Sequence, residues 1–409
     1  MKPENMSVYL VVPGVTGRRH RENMLTEMEG SFSKLTLISY MESDPFHNHI
    51  KVDSPKNPTT VLTKIGLPGV KKFLDSYLFF PSSNMPRARK GEHALDKCIK
   101  NDLDIGLDVC VLVYTPPHDF AIIGYNLKKK YPAIRLLVDW QDLWSFDESY
   151  FLRVPAFFRP RLLDIERKIF EHCDQNIVTN FKAAKILQDH YGLDENRITS
   201  IPHPFDPIER ETLRQQGFLD TAASKDVIKI GFLGGISKPP KVRGDKLLAS
   251  IDRLVDSGLP IEFHIFGGNS PLTRQSVLGL KNSAQIIMHP WDNHANSMKS
   301  ISSCDFLLIS LADLPNSKAI MHSKLAHYLI LNRPILALVP KDSFVAHVIR
   351  ETGTGMVIHD EADWDRSLSK IFGSYLNGTF TMTRKPAIIE QYSWEQLSVK
   401  WLNAICGSK

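Results

Sequence analysis

The sequence predicts an α/β protein of two units, each a parallel sheet wrapped by helices. Three observations lead there. Short apolar runs recur along the chain, with amphipathic segments of helix length between them. Residues 109–114 (VCVLVY) and 335–339 (ILALV) are apolar without alternation, as strands covered on both faces are. The opening pattern of strand, glycine-bearing turn and helix then starts again at Val227. At 409 residues the chain exceeds one ordinary core and suits two units of about 200 residues each.

Composition narrows the function. A hydrophobic content of 43% with 23% charged residues is that of a soluble globular protein. The net charge of +5 is mild and neither half is strongly basic, which argues against a nucleic-acid partner. Cys98, Cys110, Cys173, Cys304 and Cys406 are scattered, odd in number and never spaced as CxxC. That favours free thiols in a reducing compartment and argues against a zinc site. The apolar run near the N-terminus is shorter than a signal-peptide core, and no stretch reaches the roughly 18–20 apolar residues that span a bilayer. The expectation is a cytoplasmic protein.

In the first half, residues 7–13 form a strand, GVTG turns the chain, and a helix begins near Glu22. Gly14, Thr16, Gly17 and Arg18 lie on that turn. With Arg19 and Arg21, Arg18 suits either an anionic acceptor or a solvated helix start. Residues 35–40 are a second strand, and 42–60 read as a long polar loop. Basic pieces at 71–73, 86–90 and 157–161 suggest peripheral contact with the cytoplasmic membrane face. Strands at 109–114 and 134–139 end in polar groups, His118 after the first and Asp139, Gln141 and Asp142 after the second. Ligands of open α/β sheets bind at that edge. A histidine there can act as acid, base or hydrogen-bond donor, or be a loop residue in solvent. Asp142 lies between Trp140 and Trp144, and aromatics on a polar loop commonly line a pocket. A helix near 160–172, a strand from about Gln175, a helix from Phe181 and a short strand before a proline-rich break complete this half.

The second half opens with a strand at 227–236 closed by Gly234 and Gly235. The following loop and helix start concentrate Lys238, Lys241, Arg243 and Lys246. Glycines let backbone approach a ligand and cations neutralise it, so this is the best phosphate loop in the chain. It is not a Walker A loop, since GxxxxGK[ST] is absent. Strands follow at 261–268, 284–291 and 304–310. Residues 322–340 read as loop, helix and buried strand, with Ser323 as the cap and Leu325, Tyr328 and Leu329 on one apolar face. A helix start carrying Ser323 and Lys324 offers amides, the helix dipole and a cation to a phosphate, or is an ordinary αβ unit with a solvated lysine. A strand at 355–358, a helix near 363–375 and an amphipathic helix bearing Trp394, Leu397, Trp401 and Leu402 end the chain.

The double-glycine loop, HPW at 289–291, SCDFLLIS at 303–310, SKLAHYLILNRPILALV at 323–339 and the closing SWEQL resemble the GT-B glycosyltransferases. The resemblance is to the large retaining family, often called family 4, that includes bacterial polysaccharide glycosyltransferases. LVDWQDLWS at 137–145 is similar to its D-x-x-D-x-W segment. It implies two Rossmann-like domains facing across a cleft, with a C-terminal helix crossing back. Residues 1–205 with 390–409 would form the acceptor domain and 206–389 the donor domain. It implies transfer of a sugar from a nucleotide-diphosphate donor to a glycan or lipid-linked acceptor, with retention and with no cofactor or metal. Gly234, Gly235, Arg243 and Lys324 would hold the diphosphate, assisted by Lys238, Lys241 and Ser323. Phe266, Gly267 and Trp291 would meet the nucleoside and His118 the donor sugar. Gly14, Thr16, Gly17, Arg18 and Asp142 would line the acceptor side.

Two departures from that family stand out. Its two glutamates, eight positions apart, fall on Ala319 and His327. The second contacts the donor ribose in that family, so the resemblance implies that His327 would bind the donor by donating to a ribose hydroxyl. His118 is the only candidate for the histidine that reaches the donor sugar, and it sits several residues late. A nucleotide-sugar 2-epimerase of the same architecture and a binding protein without turnover are the competing readings.

Overall fold

The computed structural model describes residues 2–12, 28–39, 48–52, 77, 80–82, 84–147, 151, 154–219, 226–236, 244–268 and 271–407. The chain divides into two compact units, Met1–Pro202 with Leu397–Lys409, and His203–Gln396.

The first unit holds a seven-stranded sheet: β1 Met6–Val12, β2 Lys34–Ser39, β3 Asn48–Lys51, β4 Asp108–Thr115, β5 Arg135–Trp140, β6 Gln175–Val178 and β7 Ile198–Ser200. Their order is β3-β2-β1-β4-β5-β6-β7, and every pairing is parallel. Among the described residues, the helices α1 Met85–Asp104, α2 Asp119–Lys130, α3 Arg159–His172 and α4 Phe181–Tyr191 accompany it. β4 is buried from Val109 to Thr115, as its unbroken apolar run suggests. Polar anchors fix the layers. Ser7 and Tyr9 on β1 donate hydroxyls to the Asp102 carboxylate of α1 at 2.5 and 2.6 Å. β3 falls where the sequence suggests only loop, because the mostly polar NHIK sits on the sheet edge and lacks an apolar signature.

The second unit repeats the plan with β8 Ile228–Leu233, β9 Ile261–Phe266, β10 Ile286–His289, β11 Phe306–Ser310, β12 Ile335–Leu338 and β13 Gly355–Ile358. The order is β10-β9-β8-β11-β12-β13, again all parallel. Renumbered from β8 this is 3-2-1-4-5-6, the Rossmann order, with the switch point between β8 and β11. Its helices are α5 Pro207–Gln215, α6 Gly244–Asp256, α7 Pro271–Leu278, α8 His294–Ser302, α9 Ser323–Ile330, α10 Phe344–Thr352, α11 Trp364–Leu376 and the short α12 Pro386–Ile389. The sheet separates two cores. Ile335 and Ala337 of β12 join α9 and α10 on one face, and Leu336 and Leu338 join α6 and α11 on the other.

The last helix, α13 Trp394–Cys406, passes from the second unit into the first. Its start belongs to the second unit because Phe205 N–H donates to Tyr392 O (2.9 Å) and Trp394 N–H to Phe205 O (3.1 Å). Its end belongs to the first, where the Arg135 guanidinium donates twice to Ala404 O (3.1 and 2.8 Å) and Trp401 meets Tyr114 edge-on. All five cysteines are free thiols. Among the described residues no helix is long and apolar enough to cross a membrane.

Candidate functional site

The carboxyl edge of the second sheet gathers several of the residues singled out by sequence. β8 ends at Leu233, and Gly234 then takes φ +90°, a left-handed conformation open to glycine at little cost. Its N–H donates to Phe266 O at 2.7 Å, tying the ends of β8 and β9 together. Gly267 follows at φ +83°, and a Cβ there would lie 3.5 Å from the Trp291 indole. Trp291 is 77% exposed, so nothing in the unit's own core explains a tryptophan at this place. Beside it, Phe266 stacks on His289 with ring centres 4.3 Å apart. His289 hydrogen-bonds His264, which in turn meets Glu262. Burial, with a smaller contribution from His264, holds the His289 imidazole below its ordinary value.

α9 closes the other side of this edge. The Leu233 N–H donates to the Tyr328 hydroxyl at 3.0 Å, and Lys324 Nζ lies 3.8 Å from the centre of the Phe232 ring. The first turn of α9 therefore lies on the end of β8. Gly234, Gly235, Phe266, Gly267, Ser323 and Lys324 belong to one stretch of sheet edge, at the switch point where open α/β sheets bind ligands. Lys324 is half-buried, and among the described residues no carboxylate pairs with it. Burial pulls its ammonium down to about 7. Ser323 is not the cap that the sequence suggests. His322, extended at ψ 132°, occupies that position, and its side chain makes no capping hydrogen bond. Ser323 is already helical and exposed, leaving its own amide among the orphan donors of the first turn.

His327 is buried one turn into α9, with Nδ1 3.9 Å from Glu209 Oε2 and its ring 4.4 Å from that of His294. Neither Glu209 nor His294 is conspicuous in the sequence. They lie far from each other and from His327 along the chain, so no spacing pattern joins them. Ala319, the other departure, is buried in a short 3-10 turn at Ser317–Ala319.

The first unit has its own polar cluster at the end of β4. His118 precedes the first turn of α2 and is 2% exposed, which sets aside the solvent-loop alternative. Its Nε2–H donates to Asp142 O at 2.9 Å, since a carbonyl can only accept. Its ring lies nearly parallel to Trp144, with centres 5.2 Å apart. Asp142 thus contributes its backbone to His118. Asp119, which has no local signature that marks it out, is buried beside it. Its carboxylate accepts from Ser82 Oγ at 3.0 and 2.9 Å, and burial raises it to about 6. Gly14, Thr16, Gly17, Arg18, Lys238, Lys241 and Arg243 lie outside the described residues.

No family model matches the sequence, and no curated protein matches it. Solved structures do. A glycosyltransferase from Rickettsia africae ESF-5 aligns over 99% of this chain and 98% of its own at 12% identity, with a TM-score of 0.63. Anabaena Alr3699/HepE in complex with UDP aligns over 98% and 100% at 12% identity and a TM-score of 0.63. The E. coli trehalose-6-phosphate structure bound with UDP-2-fluoro glucose aligns over 98% of both chains at 10% identity and a TM-score of 0.61. The chain shares the fold of these proteins from end to end: two Rossmann-like α/β units of the GT-B class.

Proposed function

We propose that the chain is a glycosyltransferase that moves a sugar from a nucleotide-diphosphate donor to a glycan or lipid-linked acceptor, with retention. The observation that carries this reading is Lys324. An ammonium with no carboxylate partner among the described residues is held on Phe232, at a helix start whose N-cap side chain makes no capping hydrogen bond, beside the Gly234–Gly235 turn. Cation, amides and glycine turn together suit a diphosphate. Structural neighbours hold UDP or a UDP-sugar, which supports that donor class.

The chemistry follows from the leaving group. As the bond from the anomeric carbon to the diphosphate breaks, negative charge grows on the β-phosphate oxygens and the sugar becomes oxocarbenium-like. Amides and cations fixed at those oxygens bind the departing diphosphate more strongly than the intact donor, which is what lowers the barrier. Ser323 and Lys324 would act from α9, and Arg243, Lys241 and Lys238 from the loop after β8. This transfer needs no metal at the diphosphate. Phe266, Gly267 and Trp291 would hold the nucleoside. In this reading the second unit holds the donor and the first the acceptor, in bacterial surface polysaccharide synthesis on the cytoplasmic side of the membrane.

A second reading, a nucleotide-sugar-binding protein without turnover, is favoured by Ala319 and His327 where the resembling family carries glutamates. Titrating the chain with UDP-, GDP- and ADP-sugars while following nucleotide release separates the two. Binding with release supports transfer, and binding without release supports the second reading. Failure to bind any of the three overturns both.

A further inference from the structure

Three side chains of the second unit converge outside the edge described above. Glu209 lies on α5, His294 opens α8 and His327 lies on α9. Their ligand-capable atoms all fall within 4.8 Å of one another. Glu209 Oε1 is 2.6 Å from His294 Nε2, and Glu209 Oε2 is 3.9 Å from His327 Nδ1. Oε2 is shielded from solvent and accepts no hydrogen bond from the described residues. A buried carboxylate oxygen left in that state is costly, and a cation removes the cost.

We infer that Glu209, His294 and His327 form a binding site for one divalent transition-metal ion of the zinc class. The donor set is the first support. Two imidazoles and one carboxylate suit zinc or cobalt, whereas magnesium and calcium take oxygen ligands. The spacing is the second. Ligand atoms about 2.0–2.2 Å from a tetrahedral zinc stand about 3.3 Å apart. The histidine nitrogens stand 2.6 and 3.9 Å from the two oxygens of the Glu209 carboxylate, and the three ligand atoms all lie within 4.8 Å of one another, so side-chain rotations bring them to that spacing. Access is the third. The His327 and Glu209 side chains are 9% and 15% exposed, whereas His294 is 48% exposed. The ion enters from the His294 side and keeps its fourth position there for water. Bound metal would fasten α5, which opens the unit, to α8 and α9. This inference rests on the cluster alone and holds whether or not the chain transfers sugar.

The test uses the full chain, stripped with chelator and dialysed, with no nucleotide present. Co²⁺ titration should give visible d–d absorption that saturates at one equivalent and is displaced by Zn²⁺. Calorimetric Zn²⁺ affinity should fall about tenfold or more in His294→Ala and in Glu209→Gln, with unchanged circular dichroism. His294 is well exposed, so its truncation leaves the core intact. Absence of saturable binding by the wild-type chain overturns the site. Equal affinity in the wild type and both variants also overturns it, by moving the metal to other histidines or thiols.

Discussion

Lys324 Nζ stands over the Phe232 ring, 3.8 Å from its centre, and burial there lowers its ammonium from an ordinary 10.5 to about 7. The unfolded chain keeps this proton up to about 10.5, while the folded chain releases it near 7. Between those values the unfolded state binds more protons, so this group makes stability rise with pH. Its cost is full below about 7 and fades toward 10.5. Lys324→Met should therefore melt above the wild type at acidic pH, with the gap closing as pH rises. The side chain is only half-buried, so we expect about 2–4 °C, the scale of about 1 kcal/mol in a unit of this size. Thermal melts from pH 6 to 10 measure it, and a gap that widens with pH contradicts it.

The same residue tests the donor assignment. A diphosphate beside Lys324 restores the charged form, so nucleotide binding near pH 8 should take up a proton. Calorimetry in buffers of different ionisation enthalpy reads that uptake directly. Lys324→Ala and Arg243→Ala should each lower turnover at least about tenfold, the scale of one lost charge-stabilising donor. Unchanged turnover in both variants, with the fold intact, removes the diphosphate assignment.

Trp291 is exposed beside Gly267, so its truncation costs the fold little. If the indole meets a nucleobase, its loss removes a contact of about 1–3 kcal/mol. Trp291→Ala should then raise the Kd for the nucleotide by about fivefold to 100-fold while leaving the melting temperature within a degree or two. Equal nucleotide affinity in variant and wild type would exclude the base contact.

The repeat of apolar runs was enough to read two parallel sheets from sequence, because a strand covered on both faces has nowhere to place a polar residue. Ile335–Leu338 feeds two separate cores, and its composition says so. The edge strand β3 carried no such signal. The candidate residues divide along similar lines. Gly234 and Lys324 are legible because a turn after a strand and a cation at a helix start are local features. Glu209, His294 and His327 meet only through tertiary packing. The burial of His118 likewise depends on Trp144 and Asp142 from the next strand's loop, which local sequence does not place.

Asp119 gives a second pH signature. Burial raises its carboxyl to about 6 against an ordinary 3.8. Between those values the folded chain holds a proton that the unfolded chain has released, so this group's contribution falls as pH rises through the window. Asp119→Asn keeps an acceptor for Ser82 Oγ and removes the buried charge. The variant should gain on the wild type above about pH 6 and match it below about pH 4. Urea midpoints at the two extremes test this; a variant that is weaker at pH 7 than at pH 4, relative to wild type, would sink it.

His118 separates positioning from packing. The ring fills the space against Trp144 and Trp140, and Nε2 satisfies the Asp142 carbonyl. Truncation to alanine opens a cavity between indoles and orphans that carbonyl, at a cost of about 2–4 kcal/mol. His118→Phe keeps the stacked ring and loses only the hydrogen bond, so it should cost about 1–2 kcal/mol. Urea unfolding ranks the three proteins. If His118 reaches the donor sugar in addition, His118→Phe should lose at least about tenfold in kcat despite its retained fold, the lower end of what a positioned acid, base or donor supplies. Full activity in that variant would confine His118 to holding the Asp142 loop.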